Sequence, residues 1–463
     1  MDNHYQVAVI GAGSSGREAA LTAAQHGLRV VLIEKDSLGG TCLHRGFYCL
    51  RALRACVKTA KYGSSSSSPD FGVNQVLTGL PDWITNHRKL SARLTLAWNK
   101  QLERAGVETR FGQGTLIGTG RIGLERTGGQ PDFIEADYII VATGSRPEFE
   151  PRGSSSRLVN SAELLMRSDL PRHLLVVGGG YIGCEFASIF RSLGSRVTLV
   201  EQRGRLLPTW DEGVGNFIDG AMRSAGIELH LGFSLDASEL DDTSEELAIM
   251  LGDGTRITPD IVLLANGRKP NVDDLGLERM DIVTNPFIVV NEQLRTSCDR
   301  VFAIGDVNGL CLLDSAAVTQ ARVAVDTILG RQARFSARWI PRSIHTDPEA
   351  ASIGWNEDEA VKSGCGVIAR SQTFRLATDD ERTVVAPGET MLKILLRAES
   401  RQILGVHAVG HQATEIVNFV SAAIRSELTL DKLLQVPLVH PSTAEVIQEC
   451  ARGLGSVSGG FPV

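Results

Sequence analysis

At 463 residues the chain is long enough for two to four domains with well-filled cores. Hydrophobic residues make up 43% and charged residues 22%, and the formal charge of −7 comes from acids and bases mixed along the chain. That mixture excludes the basic footprint of a nucleic-acid-binding protein, and no apolar run approaches the roughly 18–20 residues that span a bilayer.

In chain order, the first predicted element is the apolar run VAVIGAGSSG (7–16), which ends in G-x-G-x-x-G with Gly11, Gly13 and Gly16. A strand from about residue 6 leaves no room for a signal peptide, so a cytoplasmic location is expected. An alanine-rich helical stretch follows, then a second apolar run, RVVLIE (29–34), closed by Glu34. Next comes GGTCLHRGFYCLRAL (39–53), from which Cys42, Cys49 and Cys56 recur every seven residues. On one helix that spacing would align the sulfurs on nearly one face. The rise of about 10 Å between neighbours rules out a shared metal ion. Cys184, Cys298, Cys311, Cys365 and Cys450 are scattered and read as small core residues.

GSSSSSP (63–69) reads as a loop between helical stretches, and YIIVATGSRP (138–147) as a strand running into a glycine turn and a proline stop. PRGSSSR (151–157) and GRQARFSARW (330–339) read as boundary segments. Between them the first pattern repeats. LVVGGGYIG (175–183) carries Gly178, Gly180 and Gly183, and RVTLVE (196–201) ends in Glu201. In both copies the acid stands 23 residues after the first glycine. A lone G-x-G-x-x-G is weak, but two with matched strand, helix, strand and acid make two dinucleotide sites. Glycines let the backbone approach a pyrophosphate, the helix N-terminus stabilises its charge, and the acid accepts from ribose hydroxyls.

VFAIGDVNG (301–309) is a buried strand ending in Gly305 and Asp306, with a helix expected from about residue 314. Asp306 suits either a ligand hydroxyl or a helix cap. Beyond residue 338 the pattern becomes α+β without a further nucleotide fingerprint. VHPSTAE (439–445) lies near the end of the chain.

Together with GCEFASIFRSLGSRVTLVE (183–201), LLANGRKPN (263–271) and KILLRAESRQILGVHAVG (393–410), these motifs resemble the pyridine nucleotide–disulfide oxidoreductase family over essentially the whole chain. The resemblance is closest to its dihydrolipoamide dehydrogenase and soluble transhydrogenase members. It implies an α/β fold with two Rossmann-like dinucleotide-binding domains, one for FAD and one for NAD, and a C-terminal α+β dimerisation domain. Residues 1–148 and 273–337 would form the FAD domain, 149–272 the NAD(P) domain, and 338–463 the interface domain of a homodimer. FAD would lie on Gly11, Gly13 and Gly16, with Glu34 at the adenosine ribose and Asp306 at the ribityl chain. Gly40, Thr41, Thr143, Gly144 and Gly267 would be further cofactor contacts. Gly178, Gly180 and Gly183 would take NAD(H), with Glu201 at its ribose. A carboxylate there repels a 2′-phosphate and favours NADH. Arg203 and Arg205 lie close by, and NADP(H) stays open as a second nucleotide. No metal site is implied.

The resemblance also assigns His440, oriented by Glu445, as the base that serves the active-site thiol of the other subunit, and Arg51 and Glu185 as a charged pair at the flavin. Cys42 matches the family's substrate-facing sulfur, but its second redox cysteine is replaced by Phe47. Were the helix continuous from Cys42, Cys49 would lie about 10 Å further along. A disulfide needs Cα atoms within about 7 Å, so Cys49 is no substitute. The expected activity is therefore hydride transfer from NADH through FAD to a direct small-molecule acceptor such as a nicotinamide nucleotide or a quinone. Two alternatives stand: a dihydrolipoamide dehydrogenase-type reductase working through Cys42, and a flavin-bound sensor or structural protein without turnover.

Overall fold

The computed structural model describes residues 4–46, 48, 50–55, 57, 80–125, 132–150, 157–236, 240, 246–375, 389–440, 442–452 and 454. Phe47, Cys49, Cys56, the serine run 63–69 and residues 151–156 lie outside the described residues. The chain divides into two units, residues 1–150, 160–169 and 267–337 in one, and 151–159, 170–266 and 338–463 in the other.

The first unit opens with β1 (His4–Ile10), α1 (Ser14–Gln25) and β2 (Val30–Glu34). All five residues of β2 are buried, as a strand covered on both faces requires, and β1 pairs parallel to it. Alanines 19, 20 and 23 are buried on α1; their small side chains suit close packing on a sheet. Then come α2 (Gly40–His44) and the long α3 (Leu80–Arg104). The predicted row of cysteines does not share one unbroken helix. Arg45 leaves the helical region at φ −137° and ψ 11°, Gly46 is not helical, and the next described residue, 48, is in a helix.

Strands β3 (Glu108–Phe111), β4 (Gln113–Gly118), β5 (Arg121–Glu125) and β6 (Asp132–Val141) complete this half of the unit. Their order is β3-β2-β1-β6-β5-β4, with β4 to β6 an antiparallel meander attached to a parallel core.

In the second unit β7 (Leu158–Val159), β8 (His173–Val177), α4 (Tyr181–Ser192), β9 (Arg196–Glu201), α5 (Glu212–Ser224), β10 (Glu228–Leu231) and β11 (Ile261–Leu264) repeat the pattern. Their parallel order is β10-β9-β8-β11-β7. The chain returns to the first unit for β12 (Val301–Ala303), parallel to β6, and for α6 (Asp314–Ile328).

The remainder of the second unit is an antiparallel sheet of β13 (Arg342–Ile344), β14 (Ala350–Gly354), β15 (Val367–Arg375), β16 (Glu389–Arg397) and β17 (Ile403–Val409), in the order β13-β14-β17-β16-β15. Strand alternation sends Leu392, Ile394, Leu396, Val406 and Ala408 into one core with α7 (Ala413–Arg425) and α8 (Glu445–Arg452). The intervening Lys393 and His407 meet a different partner. Lys393 Nζ lies 2.9 Å from both carboxylate oxygens of Asp211 and 2.6 Å from Glu357 Oε2. His407 is fully buried, bonded to Ser352 Oγ at 3.0 Å and the Trp355 carbonyl at 2.9 Å. Among the described residues no helix is long and apolar enough to cross a membrane.

Candidate active site: two dinucleotide cradles, a lone thiol and a histidine–carboxylate pair

The two glycine turns superimpose in their chemistry, position by position. Gly11 and Gly178 have φ of +101° and +112°, and a Cβ on either would collide with a neighbouring carbonyl, that of Ala142 or Ala265. Only glycine fits there. A Cβ on Gly16 or Gly183 would strike the carbonyl oxygen of Gly11 or Gly178, so each third glycine lets its helix close on its strand. Gly13 and Gly180, the N-caps of α1 and α4, would by contrast meet nothing within 4 Å. That open space faces the first turns of helices carrying no acidic residue there, which suits a pyrophosphate.

Each acid closes its own turn. Glu34 accepts the N–H of Ala12 at 2.7 Å and of Asp36 at 2.8 Å. Glu201 accepts those of Gly179 at 2.5 Å and Arg203 at 2.8 Å. Both are nearly buried, at 8% and 6% exposure. A carboxylate has about four acceptor sites, so two remain for ribose hydroxyls.

Three further segments converge on the N-terminus of α1. A Cβ on Gly40 would come within 3.0 Å of Gly13 Cα, which sets the start of α2 on the first glycine turn. Gly39 N–H donates to the Ala12 carbonyl at 2.9 Å. Gly305 lies against Ser15, so Asp306 follows directly beside the same helix start. Thr143 and Gly144 come in from the end of β6, braced by Asn271. Its N–H donates to the Gly144 carbonyl at 2.9 Å, its side-chain amide to the Thr143 carbonyl at 2.8 Å, and Thr143 Oγ1 donates back at 2.7 Å.

Asp306 accepts from Ser145 Oγ at 2.6 Å, and Arg268 donates to that same hydroxyl at 2.8 Å. Burial pushes the Asp306 carboxyl up, against the pull of Ser145 and Arg268. Sequence reading missed Ser145, Arg268 and Asn271, because nothing in RKPN signals that it returns to brace the 143–145 turn. Thr41 lies exposed on α2. Gly267 accepts the Glu148 N–H at 3.1 Å, and it follows Ala265 and Asn266, whose backbone packs against Gly178 of the second glycine turn.

Cys42 sits on α2 with Ser14, Asp306 and Asp314, the first residue of α6, around it. Burial and then the Asp314 carboxylate push its thiol up to about 12, outweighing Ser14. At pH 8 that leaves roughly one sulfur in ten thousand as thiolate. Iodoacetamide should therefore alkylate Cys42 slowly at pH 8 and faster as pH rises, and Asp314→Asn should speed it. Peptide mass spectrometry reads this directly, and fast modification of the wild type at pH 8 would contradict it.

Arg51 stands exposed on the helical stretch after Cys42 in the first unit. Glu185 belongs to the second unit, where its Oε1 accepts the His345 N–H at 2.7 Å and Ser188, one turn on, accepts the Asp347 N–H at 3.0 Å. His440 Nδ1 lies 2.9 Å from Glu445 Oε1, and Glu445 Oε2 accepts the Ser442 N–H at 2.9 Å. That N–H and then His440 hold the Glu445 carboxyl below the usual range. A carboxylate at Nδ1 favours the tautomer protonated there and leaves Nε2 able to take a proton. The His440 side chain is 83% exposed in the single chain. Among the described residues no group of three or more His, Cys, Asp or Glu could hold a metal ion.

Family models match along the chain: pyridine nucleotide-disulphide oxidoreductase over residues 5–327 and the dimerisation domain of the same family over 340–451. The chain is 33% identical over 458 residues to a dihydrolipoyl dehydrogenase of Chlorobaculum parvum, covering 96% of each chain. It is 32% identical over 459 residues to a soluble pyridine nucleotide transhydrogenase of Marinomonas sp., covering 97% of each. The structure of LpdA from Mycobacterium tuberculosis matches with a TM-score of 0.87 at 26% identity, over 97% of this chain and all of that one. With both glycine turns open where a pyrophosphate would lie, the chain belongs to the pyridine nucleotide-disulphide oxidoreductase family and is an FAD-dependent NAD(P)H oxidoreductase with a dimerisation domain.

Proposed function

We propose that this flavoprotein works as a cytoplasmic homodimer that passes reducing equivalents from NADH through FAD to a direct acceptor, a nicotinamide nucleotide, a quinone or a similar small molecule, without a redox disulfide. The observation that carries this reading is the environment of Cys42. Phe47 stands where its sulfur partner would be, and burial with Asp314 keeps the remaining thiol protonated.

Bound FAD supplies hydride acceptance and onward electron delivery. The chain supplies position and charge. Gly11, Gly13 and Gly16 with the α1 N-terminus hold the FAD pyrophosphate, and Glu34 and Asp306 accept from hydroxyls of the ribose and the ribityl chain. Gly40, Thr41, Thr143 and Gly144 line the same cradle. Gly178, Gly180 and Gly183 with Glu201 do the corresponding work for the nicotinamide nucleotide. Arg51 and Glu185 keep their assignment to the redox face from family resemblance alone.

The His440–Glu445 pair favours the second reading, a disulfide reductase using Cys42, because a base locked in tautomer by a carboxylate suits proton exchange with a thiol. Acceptors separate the readings. Under anaerobic conditions with NADH, a quinone or dye should be reduced steadily, and lipoamide roughly 100-fold more slowly or not at all. Brisk lipoamide turnover would favour the second reading. A flavin-loaded protein that turns over with no acceptor would favour a sensor.

A further inference from the structure

We propose that Arg268 and Ser145 are positioning residues of the flavin site, a relay that aims the Asp306 carboxylate at the ribityl hydroxyls of FAD. The proposal deepens the reading of Asp306 as the ribityl contact and rests on it.

The backbone that carries Asp306 is fixed from behind by Gln320, fully buried on α6. Gln320 Oε1 accepts the Gly305 N–H at 2.7 Å and the Asn308 side-chain amide at 2.7 Å. That amide also donates to the Ala303 carbonyl at 2.9 Å, tying the turn to the end of β12. Gly305 has a φ of +74°, and a Cβ there would come within 2.6 Å of Ser15 Oγ, so the turn closes on the start of α1. Asp306 therefore leaves a backbone that is held in place before any ligand arrives.

The side chain is aimed by a different element. Two short strands, Ser145–Pro147 and Arg268–Pro270, pair antiparallel, with Pro270 opposite Ser145. Across this ribbon Arg268 donates from Nε to Ser145 Oγ and from Nη2 to the Ser145 carbonyl, both at 2.8 Å. Ser145 Oγ donates in turn to Asp306 Oδ2 at 2.6 Å, and Arg268 Nε lies 3.8 Å from that same oxygen. A hydroxyl that accepts from a guanidinium is polarised into a stronger donor, and its carboxylate partner strengthens the bond again. Asp306 Oδ1 accepts no hydrogen bond among the described residues, which leaves it for a ligand hydroxyl.

The charged and titratable groups around Asp306 are Arg268, Asp314 and the Cys42 thiol. Burial, with a smaller push from Asp314, raises the Asp306 carboxyl, while Ser145 and Arg268 pull it down. An ionised carboxylate accepts at both oxygens, whereas a protonated one turns part of that capacity into a donor. Arg268 and Ser145 thus supply both the aim of the group and part of the force that keeps it ionised. FAD retention is then full above the Asp306 pKa and falls as pH drops through it. Arg268→Met raises that value further and moves the acid edge of retention to higher pH.

The test is the equilibrium dissociation of FAD from diluted, FAD-loaded protein, read by the recovery of free-flavin fluorescence across pH. Arg268→Met should weaken FAD binding roughly 10- to 100-fold at neutral pH and move its acid edge to higher pH. Ser145→Ala should shift both in the same direction, and Arg268→Lys, which keeps the charge without the fork, should recover part of the loss. On an Asp306→Asn background, Arg268→Met should add no more than about threefold, because both changes act on one interaction. The same factor on both backgrounds would make Arg268 a general brace of the fold and overturn the proposal. FAD binding unchanged in Arg268→Met and Ser145→Ala would overturn it too. Should Arg268→Met fail to fold, Ser145→Ala in the same cycle decides. An Asp306→Asn protein that holds FAD as tightly as the wild type would overturn the reading of Asp306 itself.

Discussion

Gly180→Val should leave the protein folded and yellow but cut its reduction by NADH roughly 100-fold or more, about 3 kcal/mol of lost binding. Gly13→Val should instead prevent FAD retention. Both positions are N-caps in extended backbone, and an added Cβ meets no atom within 4 Å. A valine therefore costs the fold little beyond the roughly 1 kcal/mol of a poorer cap. What it fills is the space the pyrophosphate needs. Flavin absorbance and stopped-flow bleaching separate the two variants. Normal NADH reduction in Gly180→Val would mean that the second glycine turn does not hold the nucleotide.

Lys393→Met should destabilise the chain by about 3–5 kcal/mol, since it leaves Asp211 buried without its cation. Burial alone would raise the Asp211 carboxyl, but the Lys393 ammonium and the Glu357 N–H outweigh it and hold it below the usual range. The double variant Asp211→Asn/Lys393→Met should recover much of the loss. The same cluster predicts acid lability. His407, completely buried, is pushed down to about 4 by that burial. Its folded form stays neutral below the ordinary value of about 6.5, where the unfolded chain takes a proton, so stability falls with pH by about 1.4 kcal/mol per unit over that window. It is fully present above about 6.5. His407→Gln should flatten this slope in denaturant titrations between pH 7 and 4, and an unchanged slope would place the lability elsewhere.

The glycine turns were legible in sequence because their backbone demands glycine, whereas the backbone N–H groups that Glu34 and Glu201 accept from those turns were not. Asp306 was legible only as one of two roles, since a strand-end acid before a helix serves a ligand or a cap equally well. Asp314 was not legible as a neighbour of Cys42, because an acid in a helix's first turn is ordinary and the two are brought together by tertiary packing alone. The cysteine heptad misled because Arg45 interrupts the helix that periodicity assumes. The Asp211–Lys393 pair lies on elements far apart in sequence, and nothing local in either announces the other.

The most direct test of a flavin without a disulfide is anaerobic titration with NADH, followed by absorbance. About one NADH per flavin should complete the bleaching, with no long-wavelength band from a thiolate against the flavin. Uptake of about two NADH per flavin with such a band would mean that a second pair of electrons is stored on sulfur, and would contradict the absence of a redox disulfide.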